Sequence, residues 1–255
     1  MAIRANYVLA IFIIFSLFSC SSLYTTSVFL GHVNPILPYI GYTGDKPPES
    51  TLYTQFVVSI GCMLMLIIQI RFVQVFNYFK INNVTNFYNT VNNVSVILGY
   101  IASFGLILSA CFQETHAYVV HHLGGMVLFF LGISMYVLCQ TVTSYRMIPL
   151  NNSANIAYMR IALTILVLPS LVCYVSGYVI AVKEFKKPWG TRFYWGKEDG
   201  GWKYFITSSA CQWTLAILLH AYIFTYYKDF KNIWLTKTRI TVVVPQAEIE
   251  GQVSN

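Results

Sequence analysis

The chain has 255 residues, of which 56% are hydrophobic, 16% aromatic and only 10% charged, and its 16 basic against 9 acidic side chains give a net charge of +7. Soluble domains carry about 25% charged residues, so this chain has too few to cover a water-facing surface. Disorder, collagen and coiled coil are excluded by the same composition. Its Lys and Arg are scattered between apolar blocks instead of forming a stripe, which argues against nucleic acid and for charges flanking membrane segments.

A membrane-spanning helix needs about 20 mostly apolar residues. Six stretches meet that requirement, near 7–30, 52–70, 94–111, 119–139, 159–182 and 204–226. The first follows Arg4 as a signal peptide would. It outruns an h-region, however, and stays apolar past the Ser-Cys-Ser-Ser at 19–22, so it is read as a retained span. Backbone groups in lipid must be satisfied internally, so the predicted fold is an all-α integral membrane bundle of six helices. Six crossings place both termini on one side, with residues 1–234 as the membrane domain and 235–255 as a cytosolic tail. Nine basic residues fall on the terminal side and seven on the other, a ratio on which the positive-inside rule is nearly silent. The sequons at Asn83, Asn93 and Asn151 all lie on the terminal side and are idle if that side is cytosolic.

Small residues mark where helices can approach closely: Gly105 and Ser109, Gly124, Gly125 and Gly132, and Ser176 with Gly177. Cys20, Cys62, Cys111, Cys139, Cys173 and Cys211 fall one per span and are expected to be small packing residues. Neither long loop holds a cysteine, so no disulfide framework is expected. Gln69, Gln140, Gln212 and His220 lie within spans, where polar side chains usually tie helices together. His220 is close enough to the terminal side to reach water.

The loop after the first span is dense in Pro and Gly, which favour turns over helix. It is also too aromatic to float freely, so it is expected to close the bundle mouth as an ordered lumenal cap. The second long loop, 183–203, carries Trp189, Tyr194, Trp195 and Trp202 among basic residues, a pattern suited to the headgroup layer. Between spans three and four lie Gln113, Glu114, His116, His121 and His122, and His32 and Glu49 share the same side. Such a set can bind metal, relay protons or hydrogen-bond structurally. His116 and His121 are five apart, not at the i, i+4 spacing of zinc helices. No P-loop, nucleophile elbow or carboxylate pair accompanies them. His32, Glu49, Gln113, Glu114, His116 and His121 are therefore expected to form a lumenal polar cluster, with no catalytic residue, metal or cofactor assigned.

Several motifs resemble the FRAG/DRAM/SFK superfamily. In the first loop these are His32-Val-Asn-Pro, Pro38-Tyr-Ile, Thr43-Gly and Pro47-Pro-Glu-Ser. Phe112-Gln113, His121 and Gly124 continue the match. Gln140-Thr-Val-Thr-Ser-Tyr145, Glu198-Asp199-Gly, Trp213 and Tyr227-Lys-Asp-Phe230 are similar to the damage-regulated autophagy modulator branch. His116-Ala117 is similar to a branch that regulates phosphatidylinositol 4-kinase at the plasma membrane. The chain departs from the family pattern at Gly41-Tyr42, where the family has Ser-Asp, and at Gln212, where it has Glu. Losing both acids is expected to weaken a shared charge network.

The resemblance implies a six-helix protein with cytosolic termini, in lysosomal or other endomembranes, that promotes autophagy without catalysis. Its expected partners are membrane lipids and cytosolic or membrane proteins, not nucleic acid. A basic tail of Lys228, Lys231, Lys237 and Arg239 would meet anionic headgroups or such partners. Three alternatives stay open: control of the plasma-membrane lipid kinase, remodelling of glycosylphosphatidylinositol-anchor lipids with the mouth histidines as acid and base, and a proton-linked carrier.

Overall fold

The structure, a computed structural model, describes residues 3–148 and 153–236. Six long helices dominate it: α1 (Ala5–Phe29), α2 (Glu49–Ile81), α3 (Asn86–Cys111), α4 (Tyr118–Arg146), α5 (Ala154–Glu184) and α6 (Trp202–Phe224). A short α7 (Tyr226–Phe230) follows. Five of the six, α1 to α5, are long and apolar enough to cross a membrane. The sixth, α6, has 23 residues but is less apolar, because Gln212, His220 and several Ser and Thr interrupt it.

The outward face of the bundle is apolar, and its interior mixes an apolar core with small and polar side chains. On α1, Ile14 is 68% exposed whereas Ser19 is 2% exposed. Ser95, Ser103, Ser134 and Ser144 are fully buried, while Ile165, Val172 and Ile217 point outward. Apolar surface gains nothing by burial when the surroundings are lipid, so small and polar residues take the interfaces. Ser95, Ser103 and Ser134 direct their hydroxyls to carbonyls of their own helix, Ser103 to Gly99 O at 2.9 Å and Ser134 to Phe130 O at 2.7 Å.

Glycines set the crossing of α3 and α4. A Cβ on Gly105 would lie 2.7 Å from the Gly124 carbonyl oxygen, and one on Gly124 would lie 2.8 Å from the Gly105 oxygen. Part of α4, Leu123–Leu131, is wound as a π-helix, a geometry enriched at functional sites. Gly177 and Ser208 bring α5 and α6 together in the same way, and Ser208 also donates to the Tyr174 carbonyl at 2.7 Å. The cysteines differ in part from expectation. All six are free: Cys62 and Cys111 are exposed, whereas Cys20, Cys139, Cys173 and Cys211 are half-buried and Cys211 packs against the core.

At one end a two-residue strand β1 (Ile3–Arg4) pairs antiparallel with β2 (Trp234–Leu235). The Ala5 amide donates to Ile233 O at 2.9 Å. Both ends of the helical bundle's chain therefore sit at the same end of the molecule. At the opposite end, residues 30–48 fold back over the helices as a cap. Tyr24 Oη donates to Pro35 O at 2.7 Å, Trp213 Nε1 to Pro38 O at 2.9 Å and Asn34 Nδ2 to Trp195 O at 2.9 Å. These bonds tie the cap to α1, to α6 and to the second long loop.

In the second loop Tyr194 is exposed and Trp189 and Trp202 are half-buried, but Trp195 belongs to the core. Trp195 is fully buried, donates to Gly200 O at 2.7 Å and stacks on Phe205. Gly200 and Gly201 have φ of +82° and +65°, and a Cβ on Gly200 would lie 2.2 Å from Glu184 O. The left-handed backbone and the close approach to α5 both require glycine there.

Candidate functional site

The cap closes on a mouth formed by the α3–α4 turn, α2, α5, α6 and the second loop. Cys111 ends α3, and the Gln113 carbonyl then accepts the amides of His116 at 3.2 Å and Ala117 at 2.9 Å. This turn exposes His116 and points Glu114 inward.

The six predicted cluster residues do not meet at one point. His32 Nδ1 donates to Glu49 Oε1 at 2.7 Å. Glu49 is the first residue of α2, where a negative charge also suits the helix dipole. Glu114 pairs instead with Arg192, whose Nε donates to Oε1 at 2.8 Å. Arg192 Nη1 donates to Trp189 O, and its guanidinium lies 4.3 Å from the Phe193 ring and 4.7 Å from that of Trp189. His121 Nδ1 lies 2.9 Å from both the Ser109 and Phe112 carbonyls. Two acceptors require a proton on that nitrogen, so Nε2 is left facing the cap near Gly41. A Cβ on Gly41 would come within 3.2 Å of it. His116 is exposed and Gln113 contributes its backbone, so the expected convergence of these two with the others does not occur.

Residues outside the predicted cluster complete the mouth. Asp45 accepts from the Thr115 amide at 3.0 Å and from its hydroxyl. His122 Nε2 shares a 2.7 Å hydrogen bond with the Tyr178 hydroxyl and lies 4.0 Å from Glu114 Oε1. Arg192 had one visible signal: it is the only arginine in a loop otherwise basic through lysine, and arginine's fork suits buried carboxylate pairs. Burial pushes the Glu114 carboxyl above its ordinary value, with Arg192 pulling the other way. Burial likewise raises the phenols of Tyr39 and Tyr42, which stay neutral. Gln212, at the position of a family acid, accepts the Ile40 amide at 2.8 Å and donates to Tyr174 Oη at 2.9 Å. The missing acid is thus replaced by neutral hydrogen bonds. Among the described residues, no three His, Cys, Asp or Glu side chains converge as a metal site would need.

A second polar centre lies at the terminal end. Arg71 and Arg160, both fully buried, share one carboxylate: Arg71 Nη1 and Arg160 Nη2 donate to Asp229 Oδ2 at 2.9 and 2.7 Å. Arg71 also reaches Gln140 Oε1 at 3.0 Å, and both arginines reach Ser144 Oγ, at 3.0 and 2.9 Å. The Tyr226 ring lies 4.8 Å from one guanidinium and 4.9 Å from the other. These two arginines are therefore core residues and not flank charges, because α2 and α5 extend well past the apolar stretches that flag them. Gln140, read as helix glue, joins this centre. His220 is half-buried with its Nε2 shielded: Nδ1 donates to Ala216 O at 2.8 Å, and the ring stacks on Phe12. Of the predicted basic tail, Lys228 and Lys231 are exposed, while Lys237 and Arg239 lie outside the described residues.

Comparison with known proteins agrees with this architecture. The family described as Frag1/DRAM/Sfk1/Cwh43P N-terminal domain matches residues 4–233. Human DNA damage-regulated autophagy modulator protein 1 is 31% identical over 221 residues, 83% of this chain and 85% of the relative. The rat DNA damage-regulated autophagy modulator protein 2 is 30% identical over 83% of this chain and 78% of the relative. A Xenopus laevis protein named modulator of macroautophagy TMEM150B-B is 26% identical over 89% of this chain and 87% of its own. No solved structure matches. With its apolar helices, its apolar outward face and a match along nearly its whole length, the chain belongs to the Frag1/DRAM/Sfk1 family of membrane proteins.

Proposed function

We propose that this protein is a non-enzymatic modulator of autophagy, crossing a lysosomal or other endomembrane six times, with α6 as the sixth span. The observation that carries this reading is the similarity, over 83% of the chain, to proteins named DNA damage-regulated autophagy modulators. The pairing of β1 with β2 supports an even number of crossings, since it holds both ends of the bundle together. Engagement of Glu114, His121 and Glu49 with internal partners supports a structural rather than a chemical role for the mouth. In this reading the cap is lumenal. The exposed Lys228 and Lys231, followed by Lys237 and Arg239 in a cytosolic tail, meet anionic headgroups or cytosolic partners. Depleting the protein from starved cells is expected to slow lysosomal turnover of autophagic cargo, read as cargo flux with and without lysosomal inhibition. Unchanged flux overturns the reading.

A further inference from the structure

Beneath the cap lies a cavity of about 200 Å³ that is partly open to the outside of the bundle. Protein interiors hold few voids larger than a water molecule. An engineered cavity of about 150 Å³ with apolar walls already takes up benzene or xenon. This one is elongated. Its walls include positions 12–23 of α1 and 212–223 of α6, and at 1.5 Å per residue each run covers about 16 Å. Along that length apolar side chains such as Phe12, Leu23, Leu64 and Ile223 alternate with Ser16 and Ser19, whose hydroxyls are turned back to carbonyls of their own helix.

Polar groups gather at the cap end. Tyr39 and Tyr42 line the cavity there, each 3% exposed, and neither hydroxyl has a hydrogen-bond partner within the protein. Ser208 gives its own hydrogen to the Tyr174 carbonyl but keeps lone pairs facing Tyr39, whereas Tyr42 has no such neighbour. Deeper in, at the level of Ala216 and Leu219, His220 Nε2 is also without a partner. Buried polar atoms are nearly always satisfied, so unpaired hydroxyls bordering an apolar void indicate where a ligand's polar head would sit. The charge of that head follows from its neighbours. Arg192 is turned to Glu114 and does not line the cavity, and His121 Nδ1 is held by two carbonyls. No free positive charge remains at this end among the lining residues to hold a carboxylate or a phosphate.

We propose that the cavity binds an amphipathic lipid with one hydrocarbon limb and an uncharged hydroxyl head. The head hydrogen-bonds to Tyr39 and Tyr42, and the limb lies between α1 and α6 towards His220 and Ile223. A monoacylglycerol and a sterol share this chemistry. Binding here does not depend on the autophagy reading.

The test uses the full chain in phosphatidylcholine nanodiscs, photolabelled with diazirine-bearing monoacylglycerol, sterol and fatty acid. The expected result is crosslinking by monoacylglycerol or sterol to peptides spanning 12–23 and 212–223, with the stronger of the two identifying the source. Ala216→Phe, which fills the middle of the cavity, is expected to abolish this labelling without lowering the unfolding midpoint. Tyr42→Phe keeps the ring and removes one hydrogen bond, and so should raise the half-labelling concentration about threefold to tenfold. Should Ala216→Phe fail to fold, the Tyr42→Phe shift decides alone. Label confined to outward residues such as Ile11, Ile14 and Leu17, or left unchanged by the variants, overturns the site. Preferential labelling by the fatty acid overturns the uncharged head.

Discussion

Asp229 shows how much one side chain can determine in this protein. It is the carboxylate between two guanidiniums that are wholly buried, and its own side chain is 6% exposed. Removing one partner of a buried ion pair costs about 3–5 kcal/mol, because the remaining charge stays desolvated. Here two charges would remain. Asp229→Asn is therefore expected to lower stability by at least about 3 kcal/mol, measured by denaturant unfolding in mixed micelles. The neighbouring Lys228 is exposed, and Lys228→Ala should stay within about 0.5 kcal/mol of wild type. Equal effects at the two positions would refute the centre as a stabilising lock. Sequence reasoning noticed both motifs that meet here, around Gln140 and around Asp229, but could not see that they converge. Arg71 and Arg160 look like flank charges because hydropathy marks only the apolar part of each helix. What decides their burial is the pairing of α2, α5 and α7, which has no local signature.

Among the helices, the α3–α4 crossing was legible from spacing alone, since Gly105 and Ser109 share a face and Gly124 lies in the next span. The structure adds the distance of approach and the π-helical winding of Leu123–Leu131 that follows. Gly105→Leu would drive a side chain into the Gly124 carbonyl and the Phe129 amide, backbone atoms that cannot move aside as a flexible side chain would. Overpacking of this kind typically costs 1–3 kcal/mol, an order-of-magnitude figure. Gly125 is different, because a Cβ there would meet Ser109 at an ordinary 3.5 Å. The paired variants Gly105→Leu and Gly125→Ala should thus separate in unfolding midpoint, the first falling and the second staying near wild type. The cap was legible as an ordered closure from its Pro, Gly and aromatic content. Its partners were not, because Trp195, Gln212 and Trp213 reach it from a loop and a helix 161, 172 and 175 positions away along the chain.

Viewed whole, the molecule has two unlike ends. The terminal end is held by a permanent charge centre of Arg71, Arg160 and Asp229, whereas the capped end holds groups that titrate. Glu114 faces Arg192 from the second loop, His121 and His122 from α4, and Asp45 from the cap. Its carboxyl is raised by burial despite Arg192, so the folded state holds a proton that the unfolded chain releases. The sign follows from linkage: where the folded state binds more protons, stability falls as pH rises. The stabilisation from Glu114 is therefore fully present below the ordinary carboxylate value of about 4.3. It is lost as pH rises through the higher value Glu114 has in the fold. If the cap faces an acidic lumen, as proposed above, the mouth is more firmly closed there than at neutral pH. Unfolding midpoints of the wild type and of Glu114→Gln, compared in nanodiscs from neutral to acidic pH, test this. The wild type should gain on the variant as pH falls through that window, because a glutamine cannot take up the proton. Parallel curves would mean that Glu114 is an ordinary ion-pair partner and that acidity reaches the cap through some other group.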